Sequence, residues 1–175
     1  KVETKGPYIN FYINYTLFTT KVVNYIDKNY GELPEKDERI LLEHTSANPN
    51  GPLHVGHLRN AILGDSLKRI LQHAGYKVEA QYYVNDMGRQ IAIIVWGMDK
   101  FNYTVDDDKK ADHAIGEVYY KCNQQLEANP EYNQEIDDIL RKYEEGTDAA
   151  LIDAFQGVVE YCIDGIKETL KDLNI

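Results

Sequence analysis

The chain is short of three things, and each shortage excludes a class of protein. Cysteine is scarce: Cys122 and Cys162 stand alone and form no C-x-x-C pair, so reduced thiols in a cytosolic setting are a simpler reading than a disulfide framework. Long apolar runs are missing, and neither a secretory leader nor a lipidation signal is present; the expectation is a soluble, cytoplasmic protein with no membrane partner. Positive charge is in deficit. Nineteen Lys and Arg against 29 Asp and Glu leave a formal net charge of −10 at pH 7, opposite to the footprint of a surface whose main task is gripping nucleic acid.

What is present is ordinary for a globular chain. The 175 residues are 43% hydrophobic and 27% charged, enough to bury a sizeable core. One stretch stands out against that background: Glu43-His-Thr-Ser-Ala-Asn48-Pro-Asn-Gly-Pro-Leu-His54-Val-Gly56-His57. Arg39 to Glu43 reads as a short apolar strand, and Asn48 to Pro52 is a cluster of turn formers. Leu58, Ile62, Leu67, Ile70, Leu71 and Ala74 then recur at helical spacing until Gly75 supplies a stop. A helix is therefore expected to begin near His57.

The unpaired N–H groups and positive dipole end of that helix start favour phosphate. Gly56 removes a side chain there, so a flat base or ribose can come close to the backbone. His54 and His57 add side-chain donors for oxygens that gain charge when phosphorus is attacked. Two histidines three apart also suit a metal pair. The nearest further candidates, Glu43 and His44, match no familiar ligand spacing, so no metal site is expected.

A second polar cluster ends a second strand. Val78, Ala80, Tyr82 and Val84 alternate with other positions, and Asn85-Asp86-Met-Gly88 closes the pattern. Strand, helix and strand imply a parallel pair, with both clusters at the carboxyl ends of neighbouring strands, where open α/β sheets hold ligands. Asn85, Asp86, Gly88, Arg89 and Gln90 are thus candidates to line one crevice with His54 and His57. The competing reading is that Asn85 and Asp86 cap the next helix while Arg89 is solvated.

These residues carry a family resemblance. H-V-G-H after a strand and a Pro-Asn-Gly-Pro turn resembles the HIGH motif of class I aminoacyl-tRNA synthetases. Ser46 to Asp65 together with Tyr82 to Ile91 resembles the arginyl-tRNA synthetases in particular, and the motifs cover roughly Arg39 to Ile91. The resemblance implies the first half of a Rossmann-like, parallel-sheet, nucleotide-binding catalytic domain of α/β class. It implies that Ser46, Ala47 and Asn48 hold the amino acid, and that Glu43 pairs with its cationic groups, against the alternative of a solvated strand end. It further implies that His57 meets arginine and the reacting phosphate, that His54 serves the ATP phosphates and Gly56 the adenosine face, and that Pro52, Leu53 and Val55 complete the ATP-binding turn. The implied reaction joins arginine to AMP from Mg-ATP and passes it to the terminal ribose of its tRNA, with no tightly bound cofactor. A carboxylate attacking the α-phosphate needs no base, so positioning and charge stabilisation carry the catalysis.

Three parts are expected along the chain. Residues 1–36 open without a methionine and run through an alternating strand at Tyr8 to Asn14 into Leu17, Phe18, Val22, Tyr25 and Ile26 at helical spacing; by resemblance this is the tail of an additional amino-terminal domain. Residues 37–100 are the nucleotide half, with a helix at Met87 to Met98. Residues 101–175 are mostly helical, broken near Asp106 to Asp108 and at Asn129-Pro130, with a core stripe at Leu151, Phe155, Val158, Val159, Cys162, Ile163, Ile166, Leu170 and Leu173. The resemblance implies a connecting insertion that helps present the tRNA acceptor end, though no residue there matches a motif with a role. His113, Tyr119 and Tyr120 read as packed or solvated side chains.

No K-M-S-K-like loop, the family's second signature, occurs before Ile175. The chain therefore reads as a fragment whose partners include further domains and whose own adenylation activity is weak or absent. Two other functions compete: a nucleotidyltransferase of the H-x-G-H superfamily, such as a coenzyme adenylyltransferase, and a non-catalytic synthetase-like binding module. The Tyr82 to Ile91 motif argues against the first, and the intact Ser46 to His57 run argues against the second.

Overall fold

Gly6, at a φ of 59°, supplies the left-handed turn that folds β1 (Val2–Lys5) back on β2 (Tyr8–Phe11) as an antiparallel hairpin. Asn14 then caps α1 (Tyr15–Tyr25), its side chain accepting the Leu17 N–H at 3.1 Å. These are features of a computed structural model, which describes residues 1–175. No residue of α1 is buried, and Tyr8, Phe11, Leu17 and Phe18 stay exposed.

The centre of the chain is a strand–helix–strand unit. β3 (Arg39–Glu43) and β4 (Lys77–Gln81) lie parallel, Arg39 opposite Lys77 and Glu43 opposite Gln81. Between them runs α2 (Val55–His73). It starts two residues earlier than its apolar spacing predicts, because His54 caps it. Its buried positions are Ala61, Gly64 and Asp65, small or polar residues that let the helix close on the end of β3; a Cβ on Gly64 would lie 2.3 Å from the His44 Cβ. Ile62, Leu67 and Ile70, which define the helical pattern, face outward, and Ile70 is 64% exposed, because a two-stranded sheet covers only part of the helix. Gly75, at a φ of 90°, turns the chain beneath the Pro34 carbonyl, and Leu33 and Lys36 donate their N–H groups to His73 O and Gly75 O.

Most of the core belongs to the helical carboxyl-terminal part. α3 (Arg89–Phe101) is buried without interruption from Ile91 to Gly97, since α4 (Ala111–Ala128), α5 (Asn133–Glu145) and α6 (Ala149–Asp172) all pack on it. A short 3₁₀ turn, Pro130–Tyr132, links α4 to α5 at the expected break. Phe155, Val158, Val159, Cys162 and Ile166 form the buried stripe of α6, while Leu173 drifts to the surface. Both cysteines are free and buried, and burial pushes their thiols up to about 11 at Cys122 and about 12 at Cys162. No helix is long and apolar enough to cross a membrane.

Two glycines set the distances between these helices. A Cβ on Gly97 would lie 2.0 Å from Cys122 Sγ, and one on Gly165 would lie 2.4 Å from the Asp112 backbone N. The fully buried Asp112 is balanced by Lys110 Nζ at 2.7 Å, which also donates to Thr169 Oγ1 at 2.7 Å. Charge is distributed unevenly. Residues 101–175 carry 18 acidic and 7 basic side chains, an excess greater than the whole chain's net negative charge.

Gly165→Ala should destabilise the fold by about 1–3 kcal/mol, because the added methyl meets backbone rather than a side chain that can turn away. The midpoint of denaturant unfolding, followed by helical circular dichroism, reads this directly, and an unchanged midpoint would contradict the close α4–α6 crossing.

Candidate functional site

Where β3 ends, two consecutive non-glycine residues, Thr45 (φ 70°) and Ser46 (φ 41°), occupy the left-handed region. Each such residue costs about 1–3 kcal/mol and persists only where its surroundings hold it. The holding groups are identifiable. Thr45 is buried, its Oγ1 lies 3.0 Å from His44 Nδ1, and its carbonyl accepts from Asn60 at 3.4 Å. Ser46 Oγ donates to Glu43 Oε1 at 2.9 Å and accepts the Tyr83 N–H at 3.0 Å. Tyr82 OH donates to Ala47 O at 2.7 Å, and burial pushes its hydroxyl up to about 12, so it remains a donor.

Beyond this step the strand ends are tied to one another. Asn48 Nδ2 donates to Gln90 Oε1 at 2.7 Å, and Asn85 Nδ2 donates to Asn48 Oδ1 at 3.2 Å. The structure thus brings Asn48, Asn85 and Gln90 into one amide chain joining the strand ends. Gly88 is the N-cap of α3, with no side-chain cap bond. Neither Asn85 nor Asp86 therefore caps that helix, and Asp86 is exposed. Arg89 faces elsewhere: its guanidinium bonds Asp137 and Asn133 of α5, the latter at 2.6 Å.

The start of α2 is built from its own histidines. His54 Nδ1 accepts the N–H groups of Gly56 at 3.0 Å and His57 at 3.3 Å, while His57 Nδ1 takes the His54 N–H at 3.5 Å, a reciprocal capping box. The rings stack with centroids 3.6 Å apart and planes 14° from parallel. A Cβ on Gly56 would lie 2.9 Å from His54 Cε1, so glycine is what admits the ring. Burial, and then the neighbouring His54, hold the His57 pKa below its ordinary value. Leu53 packs on the core, whereas Pro52 and Val55 are exposed.

Sequence reasoning assigned no individual residue of 101–175 a role at the site, yet α4 and α6 support this turn. A Cβ on Gly116 would lie 3.0 Å from Pro52 Cδ and 3.4 Å from Gly51 Cα, and Cys162 Sγ lies 3.8 Å from Gly51 O. The one available signal for Gly116 was a glycine inside a helical pattern. Thr45 and Tyr82 carried no signal of comparable strength. A cavity of about 650 Å³ lies among α3 to α6 and is lined by Val95, Leu151, Val158 and Tyr161 among others. It includes none of these strand-end residues.

Known proteins share this arrangement of strands and helices. The family model described as tRNA synthetases class I (R), catalytic domain, matches residues 21–175. The chain is similar to the arginine–tRNA ligases of Methanothermobacter thermautotrophicus, 53% identical over 99% of this chain and 31% of that protein, and of Methanobrevibacter smithii, 53% identical over 100% of this chain and 31% of that one. Among solved structures it resembles the Thermus thermophilus arginyl-tRNA synthetase with a TM-score of 0.74 and 32% identity, over 99% of this chain and 28% of that one. The chain thus spans about a third of the length of the curated relatives it matches.

The histidine pair makes stability at the site depend on pH. Because the folded His57 pKa lies below its unfolded value, the unfolded chain binds more protons between the two; stability should be full above the ordinary imidazole value and fall as pH drops from it towards the folded pKa. Denaturant midpoints measured across that window should slope less in His57→Asn than in the parent chain. Gly116→Ala should shift the Gly51-Pro52 turn at a modest cost of about 1 kcal/mol, leaving helical content intact while changing the amide shifts of Gly51 and His54; unmoved shifts would argue against the support.

Proposed function

The chain belongs to the arginyl family of class I tRNA synthetases, and from that premise we propose that its strand-end crevice seats the amino acid and the ATP phosphates for arginine activation. The observation that carries this reading is that the tied Ser46–Asn48 turn leads directly into the histidine-capped start of α2. An amino acid held at the first lies beside a phosphate held at the second.

In this reading a carboxylate oxygen of arginine attacks the α-phosphorus of Mg-ATP, the new O–P bond forms as the bond to pyrophosphate breaks, and arginyl-adenylate results. A hydroxyl of the terminal tRNA ribose then attacks the acyl carbon, and AMP leaves. Ser46, Ala47 and Asn48 hold the amino acid. Glu43, already accepting from Ser46, draws its ammonium group. His54, Gly56 and His57, with the backbone of Pro52 to Val55, receive the ATP, where imidazole N–H donors and the helix dipole stabilise charge on the phosphate oxygens. Asn85 and Gln90 fix Asn48 rather than touching phosphate. Mg²⁺ enters with its nucleotide as part of the substrate.

The same reading divides the chain into an amino-terminal appendage (1–36), the nucleotide half (37–100) and an insertion (101–175) that helps guide the tRNA acceptor end, within a larger cytoplasmic enzyme. The match over residues 21–175 favours it over a coenzyme adenylyltransferase.

Calorimetric titration with a non-hydrolysable arginyl-adenylate analogue tests it. The analogue should bind more tightly than ATP alone, and His57→Ala should weaken it about tenfold or more, the loss of one charge-assisted contact. A folded chain that binds ATP and the analogue equally would leave arginine with no seat in this crevice.

A further inference from the structure

We propose that the start of α2 is a tautomer lock, keeping the proton of each neutral ring, His54 and His57, on Nε2, so that each presents an N–H donor on the side away from the backbone. A ring nitrogen that accepts a hydrogen bond uses its lone pair and cannot carry a proton. His54 Nδ1 accepts from two backbone N–H groups, and His57 Nδ1 accepts from one. In each neutral ring the proton is left with Nε2. Free imidazole has both tautomers open to it; here the helix's own unpaired donors choose one.

Three further observations point the same way. The rings stack face to face at 3.6 Å, a distance at which two imidazolium charges repel strongly. Gly56 leaves open the space that a Cβ would take from the His54 ring, so the accepting geometry has no steric competitor. Burial also disfavours the charged form of His57. By contrast His44 Nδ1 faces the Thr45 hydroxyl, a group that can donate or accept, and no tautomer is imposed on it.

The consequence for chemistry rests on the proposed function only in what the donors meet. A neutral Nε2–H can stabilise charge growing on a phosphate oxygen without giving up its proton, and it is oriented before substrate arrives. A carboxylate nucleophile requires no base, so a pair of locked donors suffices. His54 and His57 then act as paired donors, and Gly56 is a positioning residue that acts through His54.

Long-range proton–nitrogen correlation spectra of the nitrogen-15-labelled chain at about pH 8, where unperturbed imidazole is neutral, read the tautomers without any substrate. Single His→Gln variants assign the rings. The expected result is a protonated Nε2 and a bare Nδ1 in both His54 and His57, with no Nδ1–H population. In Gly56→Ala the His54 ring should become a mixture while His73 and His113 keep their signals. A detectable Nδ1–H or imidazolium form of either ring in the parent chain overturns the lock, and a His54 ring that keeps one tautomer in Gly56→Ala overturns its geometric cause. These spectra are independent of adenylate-analogue binding, so failure of the lock and failure of the arginine-activation reading are distinguishable.

Discussion

The left-handed step at Thr45 and Ser46 is the constraint on which the site depends. Without it the chain would continue the direction of β3 past Glu43; with it, the backbone turns over the edge of the sheet and returns as α2. Neither residue is glycine, so the step carries strain that hydrogen bonding must offset. Ser46 meets that need while linking Glu43 on its own strand to Tyr83 beyond the neighbouring one. A glycine would relax the backbone and remove the hydroxyl together. The strained turn and the positioned polar groups are one arrangement.

Support for that turn comes from further along the chain. The Gly51-Pro52 corner rests on Gly116 of α4 and near Cys162 of α6, and the end of β4 meets the core through Tyr82. α3 leads from Gln90, tied to Asn48, directly into the buried run that begins at Ile91. The helical part therefore stiffens the strand ends from beneath, although none of its side chains is among the proposed substrate contacts. Asp112, Lys110 and Thr169 fix the α4–α6 spacing on which that support depends.

Much of this was legible in the sequence, and the exceptions have physical causes. β3 has the bounds its apolar run implies, since a short strand between turn formers leaves little freedom, although none of its residues is fully buried. The start of α2 lies two residues earlier because the cap is an imidazole rather than the usual short hydroxyl, amide or carboxylate. β4 stops at Gln81 although alternation runs to Val84, because Tyr82 leaves the ladder to bond Ala47 and pack on the core. The helix expected from Met87 begins at Arg89 and reaches Phe101, ending at Asn102 in the left-handed conformation. Arg89 illustrates the limit of local reading. Its partner Asp137 lies 48 residues away, and only the packing of α3 on α5 could show that the guanidinium turns towards α5.

The lopsided charge of the helices has an effect that reaches past any single contact. With 18 acids against 7 bases in residues 101–175, this part repels polyanions at a range set by the surrounding electrolyte, about 8 Å at physiological ionic strength. Such a field works as a guard rail: a polyanion nearing the helical flank meets a repulsion that a neutral or cationic molecule does not. Added salt would lower the rail, so the exclusion should fade as ionic strength rises.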